Sequence, residues 1–138
     1  MIVHPYLFFD GRCEEAIEFY RLALGAEIDM VMRYRDSPEL PSPGMAPTGM
    51  EDKVMHTSFR IGDSIIMASD DCTGNQTTFQ GIQLSLTVAD SIEAERRFVA
   101  LVDGGQVKMP LTKTFYSPSF GMVVDRFGVA WMLIAPPL

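Results

Sequence analysis

The sequence predicts an α+β protein made of two β-α-β-β-β modules that form a curved mixed sheet around a cleft. Three observations carry this reading. The order of elements runs once through residues 1–75 and then begins again, the two halves align faintly at an offset of 79, and each half closes on a hairpin of the same kind. At 138 residues, 47% hydrophobic and 21% charged, the chain has the size of one domain with its own core, spanning 1–138 as a module over 1–75 and a second over 76–138.

Residues 1–10 are β-branched and aromatic and stop at the turn pair Asp10-Gly11, which makes them the first strand. Over 13–24 the apolar residues Cys13, Ala16, Ile17, Phe19, Tyr20, Ala23 and Leu24 recur at helical spacing, with Glu14, Glu15, Glu18 and Arg21 on the opposite face. Gly25 then stands where a helix ends. A second strand covers 26–34. The segment 36–52 holds Pro38, Pro41, Pro43 and Pro47 with Gly44 and Gly49, so it is a long loop, of the kind that is either functional or disordered in a compact domain. Segments 54–61 and 64–69 are strands joined at Gly62-Asp63, and 70–75 is a polar connector.

The second module opens on 81–88, where Ile82, Leu84, Leu86 and Val88 alternate with Gln83, Ser85 and Thr87, the pattern of a strand with one face packed on a helix. Ser91 is placed to cap a helix over 92–102, whose first turn carries Glu93 and Glu95 where the helix dipole favours them. Gly104-Gly105 ends it. Strands follow at 106–109, 121–125 and 129–135, the last two joined at Phe127-Gly128. The offset sets Phe19 on Phe98, Leu22 on Leu101, Gly25 on Gly104 and Glu27 on Gln106. In the closing hairpins, Arg60-Ile61-Gly62 leads to Met67 as Arg126-Phe127-Gly128 leads to Met132. Neither module closes alone in this reading, and the pair is expected to enclose a shared cleft.

Composition excludes two classes of partner. Lys and Arg total 11 against 18 Asp and Glu, a net charge of −7, so no basic surface is expected to neutralise a nucleic-acid backbone. No apolar run approaches the roughly 20 residues needed to cross a bilayer. The two cysteines, Cys13 and Cys72, lie far apart, and no N-terminal stretch has a charged segment leading into an apolar one, so a reduced, cytoplasmic protein is expected.

Several blocks carry a family resemblance: Pro5-Tyr6-Leu7-Phe8-Phe9-Asp10-Gly11 with Glu15-Ala16-Ile17-Glu18-Phe19-Tyr20, Met55-His56 through Ile61-Gly62-Asp63, Gly105-Gln106-Val107-Lys108-Met109-Pro110-Leu111, and Asp125-Arg126-Phe127-Gly128-Val129-Ala130-Trp131-Met132. Together with the repeated element order, they resemble the PhnB-like branch of the glyoxalase/bleomycin-resistance/extradiol-dioxygenase superfamily, also called vicinal oxygen chelate. The resemblance implies a scaffold whose metal-dependent members place ligands on the first and last strand of each module, facing the cleft. No glycine-rich loop opens a helix after a strand, as a methyl-donor site would need.

Leu7 and Phe9 take the repeat positions of Leu86 and Val88, which pack on the helix, so His4, Tyr6 and Phe8 share the cleft face with Gln83, Ser85 and Thr87. His4 and Gln83 are then equivalent; with one residue fewer near Asp10-Gly11, Pro5 holds that place instead. On the last strands Met67 and Met132 stand where the resemblance puts ligand carboxylates. One imidazole, one amide and two thioethers suit Zn²⁺, Ni²⁺, Mn²⁺ or Fe²⁺ poorly, so no metal and no cofactor is expected. A soft ion such as Cu(I) accepts thioethers, yet methionine is more commonly a polarizable filler.

His56, Ser58 and Arg60 alternate with Thr57, Phe59 and Ile61 and share the cleft face, on the same sheet as His4. His56 is either a general base or an anion-binding corner charged by Arg60, or a hydrogen-bonded histidine with no chemistry. Tyr116, in the Phe115-Tyr116-Ser117-Pro118-Ser119 loop, is a pocket wall or part of a turn. Trp131 and Leu133 belong to the core, and Arg126 to a hairpin turn.

The leading expectation is a metal-independent small-molecule-binding protein, a homodimer, whose ligand meets His4, Tyr6, His56, Arg60, Met67, Gln83, Ser85, Tyr116 and Met132, with no catalytic residue assigned. One alternative is a metal-dependent lyase, isomerase or dioxygenase with ligands from His4, His56 and Glu51 or Asp52. Another is an interaction module acting through the 36–52 loop, either a lid or a dimer arm.

Overall fold

The structure, a computed structural model, describes residues 1–37, 49–70 and 77–137. The chain divides into two compact units, Met1–Thr77 and Thr78–Leu138. The middle of the 36–52 loop, with Leu40 and Met45, and the connector carrying Cys72 lie outside the described residues, so the lid and dimer-arm readings do as well.

The first unit runs β1 (Tyr6–Phe9), α1 (Cys13–Leu24), β2 (Glu27–Arg33), a 3-10 turn at Tyr34–Asp36, β3 (Val54–Ile61) and β4 (Ser64–Asp70). Its sheet is ordered β1-β4-β3-β2, with β1 parallel to β4 and the other pairs antiparallel. Helix α1 packs on one face, where Leu7, Phe9, Ala16, Ile17, Tyr20, Phe59 and Ala68 are buried. The Tyr20 and Phe59 rings stack there, with centroids 6.0 Å apart. The apolar stripe read from the sequence is the buried face of α1, and Gly25 ends the helix at φ 68°, a left-handed conformation that favours glycine. No side chain of α1 caps its own start. Instead the buried Asp70 carboxylate reaches across, Oδ1 accepting the Cys13 N–H at 2.9 Å and Oδ2 the Val54 N–H at 3.0 Å. The sequence reading put Asp70 in a polar connector, but it ends β4 and ties that strand to α1 and β3.

The second unit runs β5 (Leu84–Thr87), α2 (Ser91–Val102), β6 (Gln106–Thr112), β7 (Phe120–Val124) and β8 (Ala130–Ile134). Its sheet is ordered β5-β8-β7-β6, with β5 parallel to β8. Helix α2 covers a face on which Ala94, Phe98, Leu101, Val123, Trp131 and Leu133 are buried. The Asp125 carboxylate organises the β7–β8 turn: Oδ1 accepts the Phe127 and Val129 N–H groups at 2.9 and 3.0 Å, and Oδ2 accepts Trp131 Nε1–H at 2.9 Å. Arg126 holds the same turn to the end of α2 through the Asp103 carbonyl and carboxylate.

Among the described residues the architecture is thus two four-stranded mixed sheets, each with one helix. Four details differ from the sequence reading. β1 is shorter than 1–10, because Pro5 cannot donate to a ladder; only its carbonyl joins, accepting the Met67 N–H at 3.0 Å. β5 is likewise confined to Leu84–Thr87. The cap of α2 is Asp90, not Ser91: Asp90 Oδ1 accepts the Glu93 N–H at 2.8 Å while Glu93 returns a carboxylate to the Ala89 N–H. β6 extends through Pro110 to Thr112, which is tolerated because β6 lies at the sheet edge. The offset also shifts within the helices. Leu22 is exposed where Leu101 is buried, and burial aligns Ala16 with Ala94, Tyr20 with Phe98 and Ala23 with Leu101. Among the described residues no helix is long and apolar enough to cross a membrane.

Candidate functional site

Residues opposite one another in a ladder share a face of the sheet, so the register fixes what each helix-free face presents. In the first unit Tyr6, Met67, Ser58 and Met30 form one row across β1, β4, β3 and β2. Beside it Phe8 pairs with Ser69 and Met32 with His56, and on the other side Arg60 pairs with Ile65 and Glu27. Burial follows the same division: Leu7, Ala68 and Thr57, facing α1, are buried, whereas Tyr6, Met67, Ser58 and Met30 are half-buried.

Tyr6 and His56 meet on this face, with Tyr6 Oη 2.9 Å from His56 Nδ1. Their rings stack at 5.5 Å and 29°, and the Phe8 ring lies 5.0 Å from Tyr6. His4 is half-buried just before β1, and the hydrogen bond to His56 comes from Tyr6 rather than from His4. Arg60 shares the face but is engaged: Nε donates to Asp29 at 3.0 Å and Nη2 to Glu27 at 2.7 Å. The bond to Asp29, with the charges of Asp29 and Glu27, holds the guanidinium still more firmly protonated. An anion placed at Arg60 would compete with two carboxylates, which removes the basis for an anion-binding corner there.

In the second unit Ser85, Met132, Met122 and Met109 form the corresponding row across β5, β8, β7 and β6, with Thr87, Ile134, Phe120 and Thr112 beside it. Gln83, exposed just before β5, brings Nε2 to 3.8 Å from Met122 Sδ. Met67 opposite Tyr6 and Met132 opposite Ser85 therefore hold equivalent register positions. Tyr116 packs edge-on against Phe120 at 5.5 Å and against Phe115 at 5.0 Å. Its loop is tied down: Thr114 Oγ1 accepts the Ser117 N–H at 3.0 Å, and the single Ser117 Oγ–H lies within hydrogen-bond reach of both the Ala135 and Ser119 carbonyls.

Met30, Met32, Met109 and Met122 were missed from the sequence. Bulges interrupt the β2–β3 and β6–β7 registers, so simple alternation along β2 and β6 loses track of the face. Met122 is a different case: it lies on the inner strand β7 and alternates with the buried Gly121 and Val123, so periodicity alone could have found it.

The superfamily's metalloenzymes need carboxylates and imidazoles. These faces offer thioethers, hydroxyls, an amide, one hydrogen-bonded imidazole and the Asp29 and Glu27 carboxylates that Arg60 already pairs, which do not fit a divalent ion of that kind. Among the described residues no group of three or more His, Cys, Asp or Glu is placed to hold a metal. Asp52 is ion-paired with Arg35. Glu51 accepts N–H groups from its own backbone and from Gly49, which hold its carboxyl below the usual range. Neither is joined with His4 and His56 in a ligand set.

Paired βαβββ units with helix-free faces of this composition define a glyoxalase/bleomycin-resistance scaffold. The family whose model matches residues 2–134 is described as 3-demethylubiquinone-9 3-methyltransferase; the chain belongs to this family, the PhnB-like branch of that superfamily. It is 34% identical to the protein YjdN of Escherichia coli (strain K12), over 96% of this chain and 94% of that protein. Among solved structures it is similar to the protein PA1353 from Pseudomonas aeruginosa, with 41% identity, a TM-score of 0.86 and coverage of 99% and 98% of the two chains. A PhnB protein from Bacillus cereus, described as a putative 3-demethylubiquinone-9 3-methyltransferase, matches at 28% identity and TM-score 0.81 over 98% and 99%. For the fold alone, a glyoxylase/bleomycin resistance protein/dioxygenase domain from Frankia sp. EAN1pec superposes with a TM-score of 0.71 at 12% identity, covering 99% of this chain and 98% of that one.

Proposed function

We propose that the protein binds an organic small molecule without a metal ion, and that it acts as a cytoplasmic homodimer. The observation that carries this reading is the hydrogen-bonded Tyr6–His56 pair set beside Met67 and Ser58 on the helix-free face of the first unit. Methionines adapt their shape to an apolar body, while a few fixed polar groups orient it. The row of Ser85, Met132, Met122 and Met109, with Gln83, repeats that combination in the second unit. In this reading His4, Tyr6, His56 and Met67 are the ligand contacts of the first unit, where Arg60 shapes the face while paired with Asp29 and Glu27, and Gln83, Ser85 and Met132, bordered by Tyr116, are those of the second. No residue is assigned a catalytic role.

The test is a thermal-shift screen of organic compounds in the presence and absence of chelator, with elemental analysis of protein purified without chelator. A compound binding the folded state at 100 times its Kd stabilises it by about 2.7 kcal/mol. The expected result is a saturable, chelator-insensitive rise in Tm with no stoichiometric metal. Near-equimolar metal whose removal lowers Tm would overturn the metal-free reading, and a monomer by light scattering would overturn the homodimer.

A further inference from the structure

We infer that the helix-free face of the first unit takes an uncharged, planar aromatic molecule bearing a hydrogen-bond acceptor such as a carbonyl oxygen. This rests on the small-molecule reading above and narrows its ligand class. The first ground is ring geometry. Phe8, Tyr6 and His56 form a continuous run of three rings, with centroid separations of 5.0 and 5.5 Å and interplanar angles of 37° and 29°. Both separations lie within the range of aromatic pairs. Phe8 is 51% exposed, so the run ends on an open ring. Met67 opposite Tyr6 and Met32 opposite His56 add polarizable thioethers, which pack well against aromatic systems.

The second ground is hydrogen-bond polarity. The imidazole tautomer sets which atom of the 2.9 Å Tyr6 Oη–His56 Nδ1 pair donates, and we assign the shared proton to Tyr6 Oη, because a phenol is a better acid than an imidazole N–H and the ring nitrogen is the better base. That places the imidazole proton on Nε2, and His56 presents a donor beyond the pair. With the Tyr6 proton committed, the matching ligand group is an acceptor.

The third ground is charge. Arg60 faces both Asp29 and Glu27, one cation against two carboxylates, which gives an anion no net attraction. The same two carboxylates leave that edge of the face net negative, so discrimination against a cation rests on the second ring nitrogen of His56, whose N–H offers a cation no acceptor. An uncharged acceptor on a flat aromatic body satisfies all three conditions.

The experiment is an NMR titration of the full chain with ring-labelled Tyr, Phe and His, using four probes of similar size. They are 2-acetylnaphthalene, 2-naphthoate, 2-naphthylmethylammonium and the aliphatic ketone 2-acetyldecahydronaphthalene. The expected result is saturable shifts at Tyr6, Phe8 and His56 with 2-acetylnaphthalene, which binds about tenfold or more tightly than the other three. Phe8→Leu, at a half-exposed position, is expected to weaken it by about tenfold, on the scale of one aromatic contact. Equal or tighter binding of naphthoate, the ammonium or 2-acetyldecahydronaphthalene at the same rings would overturn the ligand class and leave the small-molecule site standing. Probes that leave all three rings unmoved would overturn both.

Discussion

Replacing Asp125 with alanine is expected to destabilise the fold by about 2–6 kcal/mol, and the structure shows where that number comes from. The carboxylate is 2% exposed and accepts three N–H groups, from Phe127, Val129 and the Trp131 indole. The Phe127 amide is only part-buried and can turn to water. The Val129 amide and the indole N–H are buried and cannot, so two donors lose a charged acceptor at about 1–3 kcal/mol each. A total stability of about 5–15 kcal/mol makes this a large fraction of the whole. Urea denaturation, followed by far-UV circular dichroism and by Trp131 fluorescence, measures it. Asp125→Asn separates the parts: one amide oxygen can serve both backbone donors, but its NH₂ then opposes the indole N–H. Trp131→Phe removes that opposing donor, so it should cost about 1 kcal/mol less in the Asp125→Asn background than in the parent. An Asp125→Ala protein within about 1 kcal/mol of the parent, or a Trp131→Phe cost equal in both backgrounds, would refute the account.

Glycine substitutions give a second contrast. A Cβ at Gly105 would sit 2.1 Å from the Val124 carbonyl oxygen and 2.9 Å from Asp125 backbone atoms, none of which can swing aside. Gly105→Ala is expected to cost about 3 kcal/mol or more in urea denaturation. Gly62→Ala meets no atom within 4 Å and should cost only about 1–2 kcal/mol, the strain of its positive φ. Burial, reinforced by the Asp70 and Glu14 carboxylates, pushes the Cys13 thiol up, so iodoacetamide should leave Cys13 unlabelled by mass spectrometry until denaturant is added. A folded pKa raised above the unfolded one contributes stability in full below the ordinary thiol value of 9.0 and loses it as pH rises beyond, so Cys13→Ala should lose less stability than the parent above pH 9.0. For Glu14 the sign is opposite. Arg33 donates to both of its carboxylate oxygens, at 2.7 and 2.8 Å, and holds its pKa down. That stabilisation is present above the ordinary value of 4.5 and fades as pH falls through the depressed one, so Glu14→Gln should cost under about 1 kcal/mol at neutral pH and nothing in strong acid.

The fold was legible because its elements are marked by local chemistry. Cys13–Leu24 and Val54–Ile61 fall where periodicity and turn residues placed them, since each packs a regular face against a neighbour. What escaped was everything made by distant partners. Asp70 looks like a loop residue because nothing near it in sequence shows that its oxygens meet the Cys13 and Val54 amides, and Asp125 gives no local sign of the Trp131 indole. At the candidate site the equivalence of Met67 and Met132 was readable from the repeat, because each follows a matching hairpin in a regular strand. The Tyr6–His56 bond was not readable: it joins β1 to β3 across the intervening β4, and its geometry depends on rotamers that alternation does not fix. Arg60 was read as a free charge because its neutralising carboxylates lie on β2, more than 30 residues away in sequence.

The division of labour between the two faces explains why the family is easier to assign than the ligand. Residues that hold each sheet to its helix, such as Leu7, Ala68, Trp131 and Leu133, are buried, and a change there removes apolar contact and costs stability. Tyr6, Met67, Met132 and Ser85 alternate with them on the opposite faces, where half-burial or exposure lets the side chain change without disturbing the packing beneath. A ligand carboxylate, a methionine or a tyrosine can therefore stand at one register position on the same framework. The Frankia domain shares that framework at 12% identity, where packing can be retained although most side chains differ. Fold similarity at that level constrains the packing and not the chemistry, which must be read from the opposite rows. In this chain those rows carry rings, thioethers and an arginine paired with two carboxylates, and it is these side chains, not the framework, on which the proposed ligand class rests.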